Sequence, residues 1–375
     1  MDQEVRTETV ASITECRESL PSELASDAVV FGFDGFVDRV RRMVAERQDE
    51  ENYDALTTLE ELGDRISRSA AADSSLSIEW LETATRTGGH VSHLSRAYGH
   101  LGYDPVMLGT FGDPIEEPFV EEFEDHEMVT FGDPGYTDAV EFSDGKLMLM
   151  DINKTRQLDW DEIVDTVDPE TLAGQIDGTA LFGMGYFADM PSFPDIVDGL
   201  LEDVWPLLEA PPENVIVDPG DVRKLSETEL RDGMDNITRL DDVATLTVTA
   251  NRFETAVLAE TLADAESDPF VETARAAFEA LGVSRFVGHG AHESVVVTEA
   301  GTSRVAVPRV EDPEITTSSG DHFNVGLSLG LVNEVPDRAA VALGNALASY
   351  FVRTGDQPSY DELRSYLDEY EAYLN

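Results

Sequence analysis

Cysteine occurs once in the 375-residue chain, at Cys16, which excludes an intramolecular disulfide and suits a reducing compartment. Lysine occurs only at Lys146, Lys154 and Lys224, and Lys and Arg together number 25 against 77 Asp and Glu. The resulting net charge of −52 argues against nucleic acid or an anionic membrane as partner. No run approaches the ~20 apolar residues of a spanning helix, and the acidic start is the opposite of a signal peptide's basic region. The expected location is the cytoplasm. The chain also lacks a G-x-x-x-x-G-K-[ST] loop, a G-x-G-x-x-G after its first apolar run and a G-x-S-x-G elbow. P-loop NTPases, dinucleotide dehydrogenases and Ser/His/Asp hydrolases are thereby disfavoured. His90-x-x-His93 and His289-x-x-His292 have metal-like spacing, but neither a Cys cluster nor H-E-x-x-H accompanies them,.

The acidic residues are spread from end to end, which fits a protein of a high-salt cytosol better than an acidic tail for a basic partner. At 1 M salt the Debye length is about 3 Å, so self-repulsion is screened. Hydrophobic content of 41% is ordinary, and the length allows one large domain. A leading helix is expected over 3–20. Strand-like runs at Ala28–Phe33, Val106–Phe111, Thr179–Met184, Val215–Asp218, Ala244–Thr249 and Arg285–His289 alternate with helical segments, which predicts a mostly parallel sheet with helices on both faces,. Residues 47–87 show helical periodicity and no strand signal. Tyr136–Met150 alternates around Ser143-Asp144-Gly145 and reads as a hairpin, placed to form a lid over the sheet's carboxyl edge,. A second hairpin joins Ser294–Val297 to Arg304–Val307, and three helices finish the chain near 320–333, 337–353 and 359–374.

Three segments carry chemistry. Thr316-Thr317-Ser318-Ser319-Gly320-Asp321 delivers a carboxylate to the start of an apolar helix. Free N–H groups and the helix dipole form an anion site there, and Asp321 is placed to face both a phosphate and an attacking hydroxyl. Asn251-Arg252-Phe253-Glu254 follows a strand; its Asn and Glu share a helical face and suit a hydrated magnesium ion, or equally a capping box. Asp34-Gly35-Phe36-Val37-Asp38, with Gly88-Gly89 further on, offers carboxylates to sugar hydroxyls and glycines for close backbone approach, or else a plain turn with solvated acids.

In this order the segments resemble the ribokinase-like (PfkB) carbohydrate kinases, over about residues 28–355. The resemblance implies a single three-layer α/β/α ribokinase-like domain spanning 1–375, with a mostly parallel sheet and a small β lid contributed by about 36–46 and 129–153. It places Asp38, Asp34, Gly88, Gly89 and His93 at the acceptor, the last three within Gly88-Gly89-His90-Val91-Ser92-His93. Val106–Asp113 is similar to the strand and Gly-Asp that follow in the family, and Asp218-Pro219-Gly220-Asp221-Val222-Arg223 to its Asp-Pro-Asn-x-Arg. Asn251 and Glu254 match the magnesium and phosphate motif, mostly through water. Ser318-Ser319-Gly320-Asp321 stands where the family has Gly-Ala-Gly-Asp: Asp321 is the implied base, and the N–H groups of Ser319, Gly320 and Asp321 the implied anion cradle. Ser318, Gly290, Asn345, Asn251 and Glu254 are the implied nucleotide residues, Asn345 near adenine. Three departures stand out: the serines at 318 and 319, Ile315 where a family Asp is linked to monovalent cations, and Glu293 in a loop that is usually glycine, where it would repel a triphosphate.

The implied reaction is magnesium-dependent phosphoryl transfer from ATP, with ADP the alternative donor, to a hydroxyl of a sugar or polyol. A homodimer joined through the lids is also implied. The rival reading is a catalytically silent sugar- or nucleotide-binding protein of the same fold; a calcium-dependent nucleoside hydrolase using Asp34 and Asp38 is a third. The charge yields a prediction independent of any site. The thermal midpoint should rise as potassium chloride goes from about 0.1 M to about 1 M, across which the Debye length falls from ~10 to ~3 Å; a protein most stable in dilute buffer would contradict the high-salt reading.

Overall fold

The computed structural model describes residues 3–24, 28–265, 268–315 and 317–374; Thr316, at the start of the segment that leads to Asp321, lies outside them. In chain order the strands are β1 (Val29–Phe33), β2 (Phe36–Arg47), β3 (Tyr53–Ala55), β4 (Trp80–Gly88) and β5 (Val106–Gly109). Next come β6 (Glu127–Thr130), β7 (Gly135–Phe142), β8 (Gly145–Asp151), β9 (Leu181–Gly185) and β10 (Asn214–Asp218). The last four are β11 (Thr245–Asn251), β12 (Arg285–His289), β13 (Glu293–Thr298) and β14 (Gly301–Ala306).

The main sheet has the order β14-β13-β12-β11-β10-β9-β1-β5-β6, parallel from β12 to β6, with the β12–β13 and β13–β14 pairs antiparallel. Its central strands are apolar on both faces because both are covered: all five residues of β1 and of β9 are buried,. One face packs the helices Gln3–Ser19, His90–His100, Ser319–Val332 and Asp337–Thr354; the other packs Pro169–Ile176, Glu227–Ile237, Arg252–Ala263 and Phe270–Leu281. This is the expected α/β/α sandwich.

Sheet growth runs from β1 to β5 and β6 on one side, then returns through β9 to the other. The reversal opens a crevice at the carboxyl ends of β1 and β9, the usual ligand position in such sheets. The residues of interest lie at these ends: Asp34 after β1, Tyr186 after β9, Asp218 closing β10, Asn251 closing β11 and His289 closing β12.

A second sheet, β3-β2-β7-β8 with β4 also on β2, supplies the lid. The β7–β8 hairpin is the one expected. Residues 47–87 differ from expectation: besides the helix Leu59–Ala71 they hold β3 and most of β4, which runs antiparallel to β2 from Phe36↔Gly88 to Met43↔Trp80. β4 was not legible because its first seven residues are exposed or half-buried, so no buried face imposed alternation. Residues 129 and 130 belong to β6 of the main sheet, and the downstream lid segment starts at Gly135.

The helix Gln3–Ser19 protects the sheet's edge. Glu8 accepts a hydrogen bond from the N–H of Arg304 (3.1 Å) and Thr9 Oγ1 one from Ala306 (2.9 Å), both on edge strand β14,. Thr9 is fully buried, so Thr9→Val keeps the shape but orphans the Ala306 N–H. A loss of about 1–3 kcal/mol is expected, read by urea denaturation in molar salt with activity followed in parallel.

Candidate active site

The glycine pair at 88–89 is explained by the two aspartates it faces. A Cβ on Gly88 would sit 2.4 Å from Asp38 Oδ2, and one on Gly89, whose φ is +90, would sit 2.8 Å from Asp34 Oδ2. Gly89 is the N-cap of the helix His90–His100 and has no side chain to cap it. Asp34 does so from a distance, accepting from the N–H groups of His90 (2.8 Å) and Val91 (3.0 Å),. It is buried, and burial pushes its carboxyl up to about 7 against the pull of His90 and the two N–H bonds, with Asp321 adding to the rise. Its oxygens are thus already engaged by backbone. Asp38 is half-buried on β2; burial raises its pKa, opposed by the Thr137 hydroxyl, Arg96 and Arg86.

Asp321 lies in the first turn of the helix Ser319–Val332 and is 4% exposed. Its Oδ1 accepts two hydrogen bonds, from His90 Nδ1 at 2.9 Å and from Tyr186 OH at 2.5 Å. Burial would raise its pKa, but the His90 bond, the fields of His93 and His90 and the Tyr186 hydroxyl outweigh it and bring the carboxyl to about 2. His90, 1% exposed, moves the other way: burial lowers its pKa, and Asp321, Asp218 and Asp34 more than reverse that. Each partner favours the charged form of the other.

The preceding residue of the turn departs from the glycine rule. Ser318 has φ +61, the left-handed region that a Cβ disfavours,. Its hydroxyl meets His93 Nε2 at 3.0 Å, while Arg96 Nη1 donates to His93 Nδ1 at 3.0 Å. Because arginine only donates, the His93 proton resides on Nε2 and points to Ser318. Burial lowers His93 to about 4, in keeping with a neutral ring. Arg96 is itself paired with Glu122.

Next to this turn, His289 stacks on Phe323 with ring centroids 4.7 Å apart, and a Cβ on Gly320 would lie 3.5 Å from its ring. Burial lowers His289 to about 4, so it stands neutral beside the helix N-terminus. Further along the edge, Asn251 and Glu254 form a complete capping box: Asn251 Oδ1 accepts from the N–H of Phe253 and Glu254, and Glu254 Oε2 accepts from that of Asn251. Burial and the neighbouring Asp218 push Glu254 up to about 8. Asp218 accepts from Gly220 N–H and Asn324 Nδ2, each at 2.8 Å, and the other amide atom of Asn324, Oδ1, is buried without a hydrogen bond. Two close carboxylates, both held toward the neutral form, and an orphan acceptor form a donor set that suits a hydrated divalent cation. Among the described residues no three His, Cys, Asp or Glu side chains converge on a point.

Glu293 is neutralised by Arg304 at 2.7 Å, which removes its expected repulsion of a triphosphate. Gly290 packs against Glu293 and Arg252. Asn345 is buried, with its amide spent on Ser294 (2.7 Å) and the Val305 carbonyl (3.4 Å). Ile315 lines the main cavity.

That cavity, about 1030 Å³, lies between the two sheets. Asp38, Val40, Thr137 and Met148 of the lid line one side, and Tyr186 and Asp321 the other. His93, Ser318 and Gly89 also border it. The structure therefore brings together Asp34, Asp38, Gly89, His93, Ser318 and Asp321. Asn251 and Glu254 stand further along the strand ends and Asn345 is in the core. Two residues escaped notice in the sequence. His90 was visible as half of a metal-like pair and inside the Gly-Gly segment, with no role of its own, and Tyr186 carried no motif, although a residue just past a central strand of such a sheet is a natural suspect.

The family model for prokaryotic ketohexokinase matches residues 5–370. A ketohexokinase from Haloferax volcanii, a halophile, is 49% identical over 367 residues, covering 98% of both chains. Among solved structures, ribokinase from Thermotoga maritima superposes with a TM-score of 0.63 at 14% identity, covering 92% of this chain and 100% of that one. A phosphofructokinase-2 variant from Escherichia coli gives 0.63 at 14%, over 93% and 99%. A Burkholderia thailandensis nucleoside kinase bound to inosine gives 0.57 at 15%, over 92% and 99%. These structural likenesses show the ribokinase fold, and the match along nearly the whole chain shows more: the protein is a carbohydrate kinase, a phosphotransferase acting on a sugar hydroxyl, and belongs to the prokaryotic ketohexokinase family.

Proposed function

We propose that this kinase phosphorylates a free ketohexose with magnesium–ATP, in the cavity between the lid and the carboxyl edge of the main sheet. The observation that carries this reading is the buried Asp321 at a helix N-terminus, facing a cavity that Asp38 also lines. Eight acidic and three basic side chains line that cavity. Arg96 is paired with Glu122 and Lys146 with Glu141. An anionic acceptor would meet net repulsion, so the sugar is unphosphorylated, and Lys154 and Arg156 are not among the lining residues.

In this reading Asp38 and the backbone at Gly89 grip the acceptor, and Asp321 takes its proton. The N–H groups of Ser319, Gly320 and Asp321 hold the migrating phosphoryl group, where charge stabilisation does most of the work. The loop 289–293 leads from Gly320 to a second cavity of about 560 Å³ bordered by His292, Glu293, Arg304 and Val307. We assign the nucleoside of the donor to it, with Asn345 setting the packing behind it. Glu254 and Asp218 would hold magnesium mostly through water, with Asn251 fixing Glu254 in place. When bound, the ion would offset negative charge on the donor phosphates. No helix of the described chain is long and apolar enough to cross a membrane, which suits the cytosol, where ATP is plentiful.

Wild-type enzyme assayed in molar potassium chloride against fructose, tagatose, glucose, ribose and fructose 6-phosphate, with ATP or ADP, should turn over the free ketohexoses with ATP fastest. A preference for the phosphorylated sugar would overturn the acceptor assignment. Asp321→Asn should lower turnover by about 10²–10⁴-fold with little change in sugar binding, the typical range for loss of a general base; retained turnover sinks that role. Gly88→Ala drives a methyl into Asp38 and should raise KM for the sugar by about tenfold or more, a free-energy change of about 1.4 kcal/mol, with KM for ATP unchanged.

A further inference from the structure

The proton acceptor of Asp321 can be narrowed to one oxygen. A carboxylate oxygen offers two in-plane lone pairs, and a carboxylate only accepts. At Oδ1 both lone pairs have a donor: His90 Nδ1–H at 2.9 Å and the Tyr186 hydroxyl at 2.5 Å. The two rings brace one another, with centroids 4.8 Å apart. Both are fixed from behind. The backbone N–H of His90 is held by Asp34, and a Cβ on Gly185 would lie 3.0 Å from the His90 ring. A Cβ on Gly220 would lie 2.7 Å from Tyr186. Backbone thus closes one side of each ring. Tyr186 and Asp321 border the acceptor cavity, whereas His90 is not among its lining residues and is 1% exposed. Its imidazole therefore reaches the reaction only through Asp321.

We propose that His90 and Tyr186 are positioning residues for phosphoryl transfer, which together occupy Asp321 Oδ1 and leave Oδ2 as the single oxygen that receives the acceptor proton. The inference rests on the kinase reading of Asp321. In the step, the sugar O–H bond breaks as its oxygen bonds the γ-phosphorus. The bond from that phosphorus to the β,γ-bridging oxygen breaks, and its electron pair leaves with ADP. The proton goes to Oδ2 and is lost to water once the products depart. An Asp321 held this strongly in its ionised form is a weak base. Phosphoryl transfer tolerates that, because its transition state is loose and the hydroxyl loses its proton late. What the donors supply is orientation, with no rotation of the carboxylate between its two oxygens.

The test uses Tyr186→Phe, which removes one donor and preserves the ring, and His90→Asn, which offers a neutral donor near the place of Nδ1, beside His90→Leu, which offers none. The charged and titratable neighbours of Asp321 are His90 and His93 on the same helix, Asp34, Tyr186, Asp218, His289 and His322. With donors removed, burial pushes Asp321 upward. The acid limb of the kcat profile should therefore move to higher pH, by about one unit or more for Tyr186→Phe and further for His90→Leu, with KM for sugar within about threefold of wild type. His90→Asn should recover part of the kcat that His90→Leu loses. In an Asp321→Asn background, Tyr186→Phe should cost nothing further. An acid limb that stays in place in Tyr186→Phe, or an equal loss of kcat with and without Asp321, would overturn the proposal. Failure of Asp321→Asn itself to lower turnover would instead overturn the kinase assignment on which it stands. Should His90→Leu not fold, Tyr186→Phe and its double variant decide the matter alone.

Discussion

A single buried oxygen, Oδ1 of Asp321, is the point where three segments distant in sequence meet. His90 brings the first turn of one helix, Tyr186 the carboxyl end of β9, and Asp321 the first turn of another helix. A buried carboxylate is costly unless paired and hydrogen-bonded. Here the partner is a histidine that the same burial would otherwise neutralise. Each group keeps the other charged, and removing either leaves an uncompensated charge, the expensive case. Linkage gives the pH window. His90, with its folded pKa raised, contributes stability that is complete below about 6.5 and lost as pH rises through its folded value. Asp321, with its pKa lowered, contributes above about 3.8 and fades toward about 2,.

Around that pair the parallel sheet does the positioning. Carboxyl ends of neighbouring strands lie side by side, so residues far apart in sequence arrive along one edge in an order set by topology. Asp34, Tyr186, Asp218, Asn251 and His289 follow the strand order β1, β9, β10, β11, β12. The lid needs no such burial. β2 leaves the main sheet three residues after β1 ends and carries Asp38 over the cavity, and Gly88 at the end of β4 pairs with Phe36 at its start. The two-glycine sequence is thus the hinge between sheet and helix, each glycine clearing room for one aspartate.

Much of this was legible, for identifiable reasons. The central strands announced themselves because burial on both faces demands unbroken apolar runs, and Asp321 because small residues before an apolar helix mark an N-terminus. The lid strand β4 was not legible: exposed on both faces, it had no reason to alternate. Asn251 and Glu254 were ambiguous between cap and cation site, and the geometry shows why. Their cap is fully formed, and the feature that suits a cation is the second carboxyl of Asp218 beside Glu254, distant in sequence, which spacing cannot reveal. Tyr186 has no local signal; it matters only because strand order sets it opposite a residue 135 positions on.

The serine at 318 shows how a local rule can be broken and compensated. A non-glycine residue in the left-handed region costs roughly 1–2 kcal/mol, which makes the turn look stiffer and less suited to catalysis than a glycine would be. The hydroxyl that comes with the Cβ reaches His93, and a net hydrogen bond is worth about 1 kcal/mol. The two terms are of the same size, so the serine is close to neutral for stability. What it adds is direction. Through Ser318, His93 and Arg96 the turn is tied to Glu122, which also lines the cavity. The carbonyl of Ser318 is held as well, by His322 Nδ1 at 2.6 Å. A glycine would leave the turn free to choose its conformation; a serine gripped by its hydroxyl and by its carbonyl has one. Departure from glycine at this position is therefore consistent with an active turn.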